Sequence, residues 1–148
     1  MQEKRGPATM DRIAVRPLGA RVGEMTLLPP GEIQYVFLGS AAPRELSAIC
    51  VAKNWRLDPD RVYVRTARGI YWTRHRRLTD WSRELELTEY RLFFPIGRAS
   101  MVNALKITAL DTDGRPPLLV FAAADGQREI LAVSRRAWPE LRRWLRLR

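Results

Sequence analysis

Apolar and polar positions alternate with period two along most of the chain, and only the C-terminal stretch changes to a helical period. Ile33-Gln34-Tyr35-Val36-Phe37-Leu38 predicts a first strand, followed by a turn over Gly39 to Pro43. Leu46 to Lys53 is a nearly continuous apolar run, the pattern of a central strand covered on both faces. Asp58-Pro59-Asp60 predicts a turn, because proline fixes φ and aspartate bonds its own backbone. Arg61 to Thr66 then alternates cleanly. Ala67-Arg68-Gly69 predicts a tight reversal, with Gly69 able to take positive φ, and Ile70-Tyr71-Trp72-Thr73 returns.

Glu84-Leu85-Glu86-Leu87 puts its leucines on one face of a strand, whereas Tyr90, Leu92 and Phe94 fall on the opposite parity. One strand cannot bury both sets, so a bulge or bend near Thr88-Glu89 is expected. Leu105 to Ala109 and Leu118 to Ala122 flank Asp111-Thr112-Asp113-Gly114, a hairpin signal lengthened by Arg115-Pro116-Pro117. A second hairpin turns at Asp125-Gly126 into Arg128 to Val133.

The last segment predicts an amphipathic helix. Pro139 suits its first turn, and Glu140 complements the positive end of the dipole. Ala137, Trp138, Leu141, Trp144 and Leu145 share about a third of the circumference, with Arg142, Arg143 and Arg146 on the other side. Residues 1–30 hold Gly6, Pro7, Pro17, Gly19, Gly23, Pro29 and Pro30 and predict a flexible or loosely docked basic arm, with a short strand allowed at Ile13-Ala14-Val15. The ordered domain is expected over 31–148. The fold class is mostly β: a barrel or sandwich of about seven or eight antiparallel strands closed by one C-terminal helix.

Composition narrows the function. At 148 residues, 46% hydrophobic and 28% charged, the chain fits one globular domain. No run approaches the roughly 20 apolar residues of a membrane span, and Met1 to Arg21 lacks the apolar core of a secretory signal. The lone Cys50 rules out an intramolecular disulfide and fits a reducing, cytoplasmic setting. The net charge is +10, with eleven Lys/Arg against five Asp/Glu in residues 91–148. Such an excess favours phosphates and acidic surfaces.

Catalytic chemistry has little to work with. His75 is flanked by Arg74, Arg76 and Arg77, with no carboxylate in sequence to orient it, and reads as a surface loop residue. Cys50 lies in an apolar run, which predicts a buried, inert thiol. Asp58/Asp60 and Asp111/Asp113 frame turns and lack the further ligands of a calcium loop. No metal site, glycine-rich phosphate loop or Gly-x-Ser-x-Gly is present, so no cofactor and no catalytic residue is assigned. The binding candidates are Arg65, Arg68, Arg74, Arg76 and Arg77 along one hairpin and its loop, with Tyr71 and Trp72 between them. The face of the final helix adds Arg142, Arg143 and Arg146.

Some stretches resemble the bacterial pleckstrin-homology-like (PH-like) domains. Leu28-Pro29-Pro30-Gly31-Glu32 before an apolar strand is similar to their opening "PGE" segment. Trp55 to Val64 looks like their "T-D-x-R-hydrophobic" strand entry, with Asp60-Arg61 in the matching place and Pro59 where that pattern has threonine. Leu105 to Ala109, Asp113-Gly114 and the closing helix follow in the same order, so the resemblance covers residues 28–148. It implies a PH-like barrel acting as a scaffold for lipid headgroups, peptides or partner subunits, and Arg74-His75-Arg76 is loosely similar to the basic loop of phosphoinositide binders.

The expectation is a binding or assembly module that contacts an acidic partner protein or an anionic membrane surface, peripheral at the membrane in the second case. Oligomers through a sheet edge fit such a fold. The alternative partner is nucleic acid, met by the arginine clusters and the aromatics Tyr71, Trp72 and Trp81.

Overall fold

The alternation over 33–38 forms strand β3 (Ile33–Leu38), buried from Ile33 to Phe37. Both faces of β3 are therefore covered, as the computed structural model makes plain; it describes residues 11–20 and 23–146. Before β3 come β1 (Ile13–Pro17) and β2 (Thr26–Leu28); after it come helix α1 (Arg44–Ala52), β4 (Val62–Thr66), β5 (Ile70–Trp72) and helix α2 (Leu78–Glu86). The chain continues through β6 (Phe93–Pro95), β7 (Ser100–Asn103), β8 (Ala109–Asp111), β9 (Leu118–Ala122), β10 (Arg128–Ala132) and helix α3 (Trp138–Arg146). The strands form an antiparallel seven-stranded sheet in the order β2-β1-β5-β4-β3-β7-β6 and a three-stranded sheet, β10-β9-β8. The fold is thus mostly β with a closing C-terminal helix, as expected.

Two cores flank the large sheet. On one face Tyr35, Phe37, Tyr63 and Val102 meet Leu119, Phe121 and Leu131 of the small sheet, with Leu46 and Cys50 of α1 and Leu141 of α3. On the other, Val36, Val62 and Val64 pack against Ile13, Val15 and Leu28 of the β1–β2 ribbon and Trp81 and Leu85 of α2. Each fully buried side chain of this size contributes roughly 1.5–3 kcal/mol. A β-bulge lies in β3 between Ile33 and Tyr35, so Ile33 joins the second core and Tyr35 the first.

Three expectations are corrected. The run Leu46 to Lys53 is helical. Leu46, Ile49 and Cys50 recur at helical spacing on the buried side, Pro43 precedes the first turn, and Asn54 at φ 57 stops the helix. Glu84 to Glu86 form the last turn of α2 and Leu87 caps it; Leu78, Trp81 and Leu85 form the helix's apolar stripe, while Leu87 is 48% exposed. The bend sought near Thr88-Glu89 is that helix's end, with Glu89 at φ 62. Around Leu105 the chain makes a 3-10 turn (Ala104–Lys106), so the strands there are β7, which the pattern did not predict, and a short β8.

Within the stretch expected as an arm, β1 and β2 pair with each other, β1 pairs with β5, and Ile13, Val15 and Leu28 are buried. Residues 1–10 lie outside the described residues. The β4–β5 reversal does not need Gly69 at positive φ. Thr66 Oγ1 holds it by accepting from the Arg68 and Gly69 amides, at 3.2 and 3.1 Å.

Helix α3 closes the gap between the sheets on the β6/β8 side. Leu141 is fully buried, Trp144 packs 5.7 Å from Phe94, and Trp138 and Leu145 are half-buried. On the opposite side α1 packs beside β10, where Glu45 accepts a hydrogen bond from the Ile130 amide at 3.2 Å.

Candidate functional site

Strand register brings a set of turns to one end of the large sheet. Leu38 pairs with Val62, Tyr63 with Trp72 and Phe37 with Ser100, so the segments beyond Leu38, Trp72 and Pro95 leave the sheet together. Backbone hydrogen bonds tie them in sequence. The Val62 amide donates to the His75 carbonyl at 2.9 Å, Gly39 to Arg61 at 3.0 Å and Leu38 to Ala99 at 2.9 Å. Ser134 donates to Ile96 at 2.8 Å and Val133 to Pro117 at 3.0 Å, which adds the loops flanking the small sheet. Gly39 is needed here for close approach, since a Cβ would sit 2.1 Å from the Asp58 carbonyl oxygen.

This rim carries Arg74, Arg77, Arg98, Arg115, Arg135 and Arg136, all exposed. None of the six makes an ion pair with a carboxylate among the described residues. Two clefts open on either side of residues 134–138. One of about 510 Å³ is lined by Arg115, Arg135, Trp138 and the loop from Thr112 to Pro117. The other, about 520 Å³, is lined by Arg98, Arg136, Ser134 and Gly97, with Glu140 on its wall. Between these and Arg74 lies a neutralised patch: Asp58 accepts from Arg76 at 2.7 Å and stands 4.0 Å from Arg61. The Asp60 amide and then Arg76 hold the Asp58 carboxyl below its ordinary range.

Of the residues expected to bind, the structure gathers only some. Arg74, Arg76 and Arg77 follow β5 at that end of the sheet; Asp58 engages Arg76, and Arg74 lines a separate cleft with Ala14, Val15, Met25 and Glu84. Arg65 is not available at all. It is buried between the sheets, bonded to both oxygens of Glu129 at 2.9 and 2.5 Å, and Glu129 also accepts from Tyr35 at 2.6 Å. Desolvation would lower the Arg65 pKa, but the Glu129 hydrogen bond and charge outweigh it and raise it. Trp72 is half-buried, with Arg16 and Arg61 guanidiniums 5.4 and 4.9 Å from its ring.

Arg68 and Tyr71 line a separate cleft with Arg12 and Lys106, at the end of the sheet where Thr66 faces Ile33. Arg142, Arg143 and Arg146 are exposed on α3, as expected. Arg98, Arg115, Arg135 and Arg136 were missed: each lies in a turn far from the others in sequence, and only the hydrogen bonds between turns unite them.

The groups considered for catalysis are kept apart. Cys50 belongs to the core between the sheets, where burial raises its thiol pKa. His75 lies toward α2 and is not the free loop residue expected. Its Nε2 is 2.5 Å from Glu84 Oε1, and both side chains are 12% exposed. Asp58 and Asp111 accept from Asp60 and Asp113 amides, both at 3.0 Å, in turns of the expected kind. Among the described residues no group of three or more His, Cys, Asp or Glu could hold a metal ion, and no helix is long and apolar enough to cross a membrane.

Neither a protein-family model nor a curated protein matches the chain. Among solved structures it is similar to a LytTr DNA-binding domain from Bacillus cereus, with a TM-score of 0.55 and 16% identity over 90% of this chain and 97% of that one. At this identity the likeness is one of fold.

Proposed function

We propose that the chain is a nucleic-acid-binding module that sets its arginine rim against the phosphates of duplex DNA. The observation that carries this reading is the gathering of Arg74, Arg77, Arg98, Arg115, Arg135 and Arg136, unpaired with any described carboxylate, at one end of the sheet. Guanidinium forks suit phosphate oxygens, and turns tied to one another by backbone bonds fix where the arginines leave the main chain. Arg142, Arg143 and Arg146 extend the positive field along α3. An acidic protein or anionic lipid would feel the same field. DNA is favoured among polyanions because the fold is similar to that of a DNA-binding domain.

The test is fluorescence anisotropy with labelled duplex DNA across a salt series. Six phosphate contacts give a slope of log K against log salt of about −5. Changing Arg98, Arg135 and Arg136 to glutamate removes most of the binding, whereas Arg68→Glu, at the far end, leaves it intact. Binding to anionic vesicles with no affinity for DNA would replace this reading with the membrane-surface one.

A further inference from the structure

The small sheet turns one face to the core and the other to solvent. Leu119, Phe121, Glu129 and Leu131 point inward and are buried. By alternation the outward face consists of Ala109, Leu118, Val120, Ala122, Ile130 and Ala132, with only two charges, Asp111 and Arg128. A sheet face left in water ordinarily carries polar residues. Here Ile130 is 41% exposed, and Val51 of neighbouring α1 is 79% exposed. At the β10 edge the middle amide, Ile130, already donates to Glu45, which blunts that edge.

The two charges say what covers it. Ala109, Val120 and Ile130 form the middle row of the register; Asp111, Leu118 and Ala132 form one outer row; Ala122 and Arg128 form the other. Asp111 and Arg128 therefore occupy opposite corners, each about 8 Å from Val120 by strand spacing and rise. A two-fold axis lying in the interface, through Val120 and at right angles to that diagonal, brings Val120 onto its own copy. The same operation sets each Asp111 against the partner's Arg128. An axis along or across the strands leaves both charges opposite apolar or vacant positions. With the diagonal axis the strands of the two copies cross at a steep angle, near the orthogonal class of sheet packing.

We infer that this face is an isologous interface between two copies of the chain. The Arg128 guanidinium is free to serve, since it has no hydrogen bond or ion pair among the described residues; the Asp111 carboxylate uses only Oδ1 in its turn. Two strands of five residues and one of three present at most roughly 14 by 17 Å. That is well below the roughly 800 Å² per partner of a standard interface, so the association is weak, with a dissociation constant of roughly a hundred micromolar or more.

Sedimentation equilibrium without nucleic acid, from about ten to several hundred micromolar protein, tests this. The wild-type chain passes from monomer to dimer over that range, and Ile130→Glu, checked for an unchanged melting curve, stays monomeric. Asp111→Arg and Arg128→Asp each weaken the dimer about tenfold, and the double exchange restores it. Restoration cannot come from disturbing the Asp111 turn, which both Asp111 variants share. A wild-type chain that is monomeric throughout, a dimer indifferent to Ile130→Glu, or a double exchange no better than the single ones would each overturn the inference.

Discussion

Arg65 and the arginines of the rim are the same residue put to opposite ends. Arg65 sits on a fully buried strand, its guanidinium closed off by Glu129 and Tyr35 where the two sheets meet. Arg98, Arg115, Arg135 and Arg136 sit in turns, face water and lack carboxylate partners among the described residues. A desolvated cation persists only with its counter-charge in hydrogen-bonding contact, so Arg65 is committed to architecture. A solvated cation costs little to leave unpaired, and its field stays free to act on a partner. Burial, not residue type or local charge density, decides which arginines can bind.

The largest effect should come from breaking the buried pair. Glu129→Gln leaves Arg65 charged and unmatched and is expected to cost about 3–5 kcal/mol in urea unfolding. Arg65→Met with Glu129→Leu and Tyr35→Phe, which leaves no buried polar group of the network unpaired, recovers most of that loss, and the folded triple variant still binds DNA. The rim should behave in the opposite way. Arg98, Arg135 and Arg136 changed together to glutamate lower DNA affinity roughly hundredfold at physiological salt. Unfolding free energy moves by only about 0.5 kcal/mol, as for surface changes generally.

Alkaline pH separates the regions further. Burial, then the Glu129 charge, raises the Tyr35 pKa well above its ordinary 10.0. In the unfolded chain the phenol releases its proton near pH 10, so this contribution to stability is intact below that and shrinks as pH rises toward the folded value. Absorbance and circular dichroism should show Tyr35 ionising together with unfolding, not before it. Ionisation of every tyrosine in a still-folded chain would contradict this. The smallest effect is expected at the far end of the sheet, where Arg68→Glu should change DNA affinity less than about twofold, because Arg68 lies outside the rim.

The β4–β5 and β9–β10 hairpins were legible from alternation and turn residues, and α3 from its switch of period. The run around Leu46 was not. Six apolar residues in a run of eight fit a buried strand or a buried helix equally well, and only the partners of Ile49 and Cys50 decide between them. Glu84 to Leu87 misled because two leucines two apart mimic a strand, while the helical set Leu78, Trp81 and Leu85 begins outside that window. Arg65 looked like a binding residue because its neighbours are basic; Glu129, its partner, is 64 residues away. Of the rim only Arg74, Arg76 and Arg77 were legible; Arg98, Arg115, Arg135 and Arg136 were not, since register and backbone bonds between distant turns bring them there.

The most direct measurement is the salt dependence of duplex-DNA binding by the wild-type chain and by the Arg98→Glu, Arg135→Glu, Arg136→Glu variant, side by side. A steep wild-type slope near −5 that becomes shallower by two to three units in the variant is the expected result. Equal slopes and affinities for the two proteins would contradict the assignment of DNA binding to the rim.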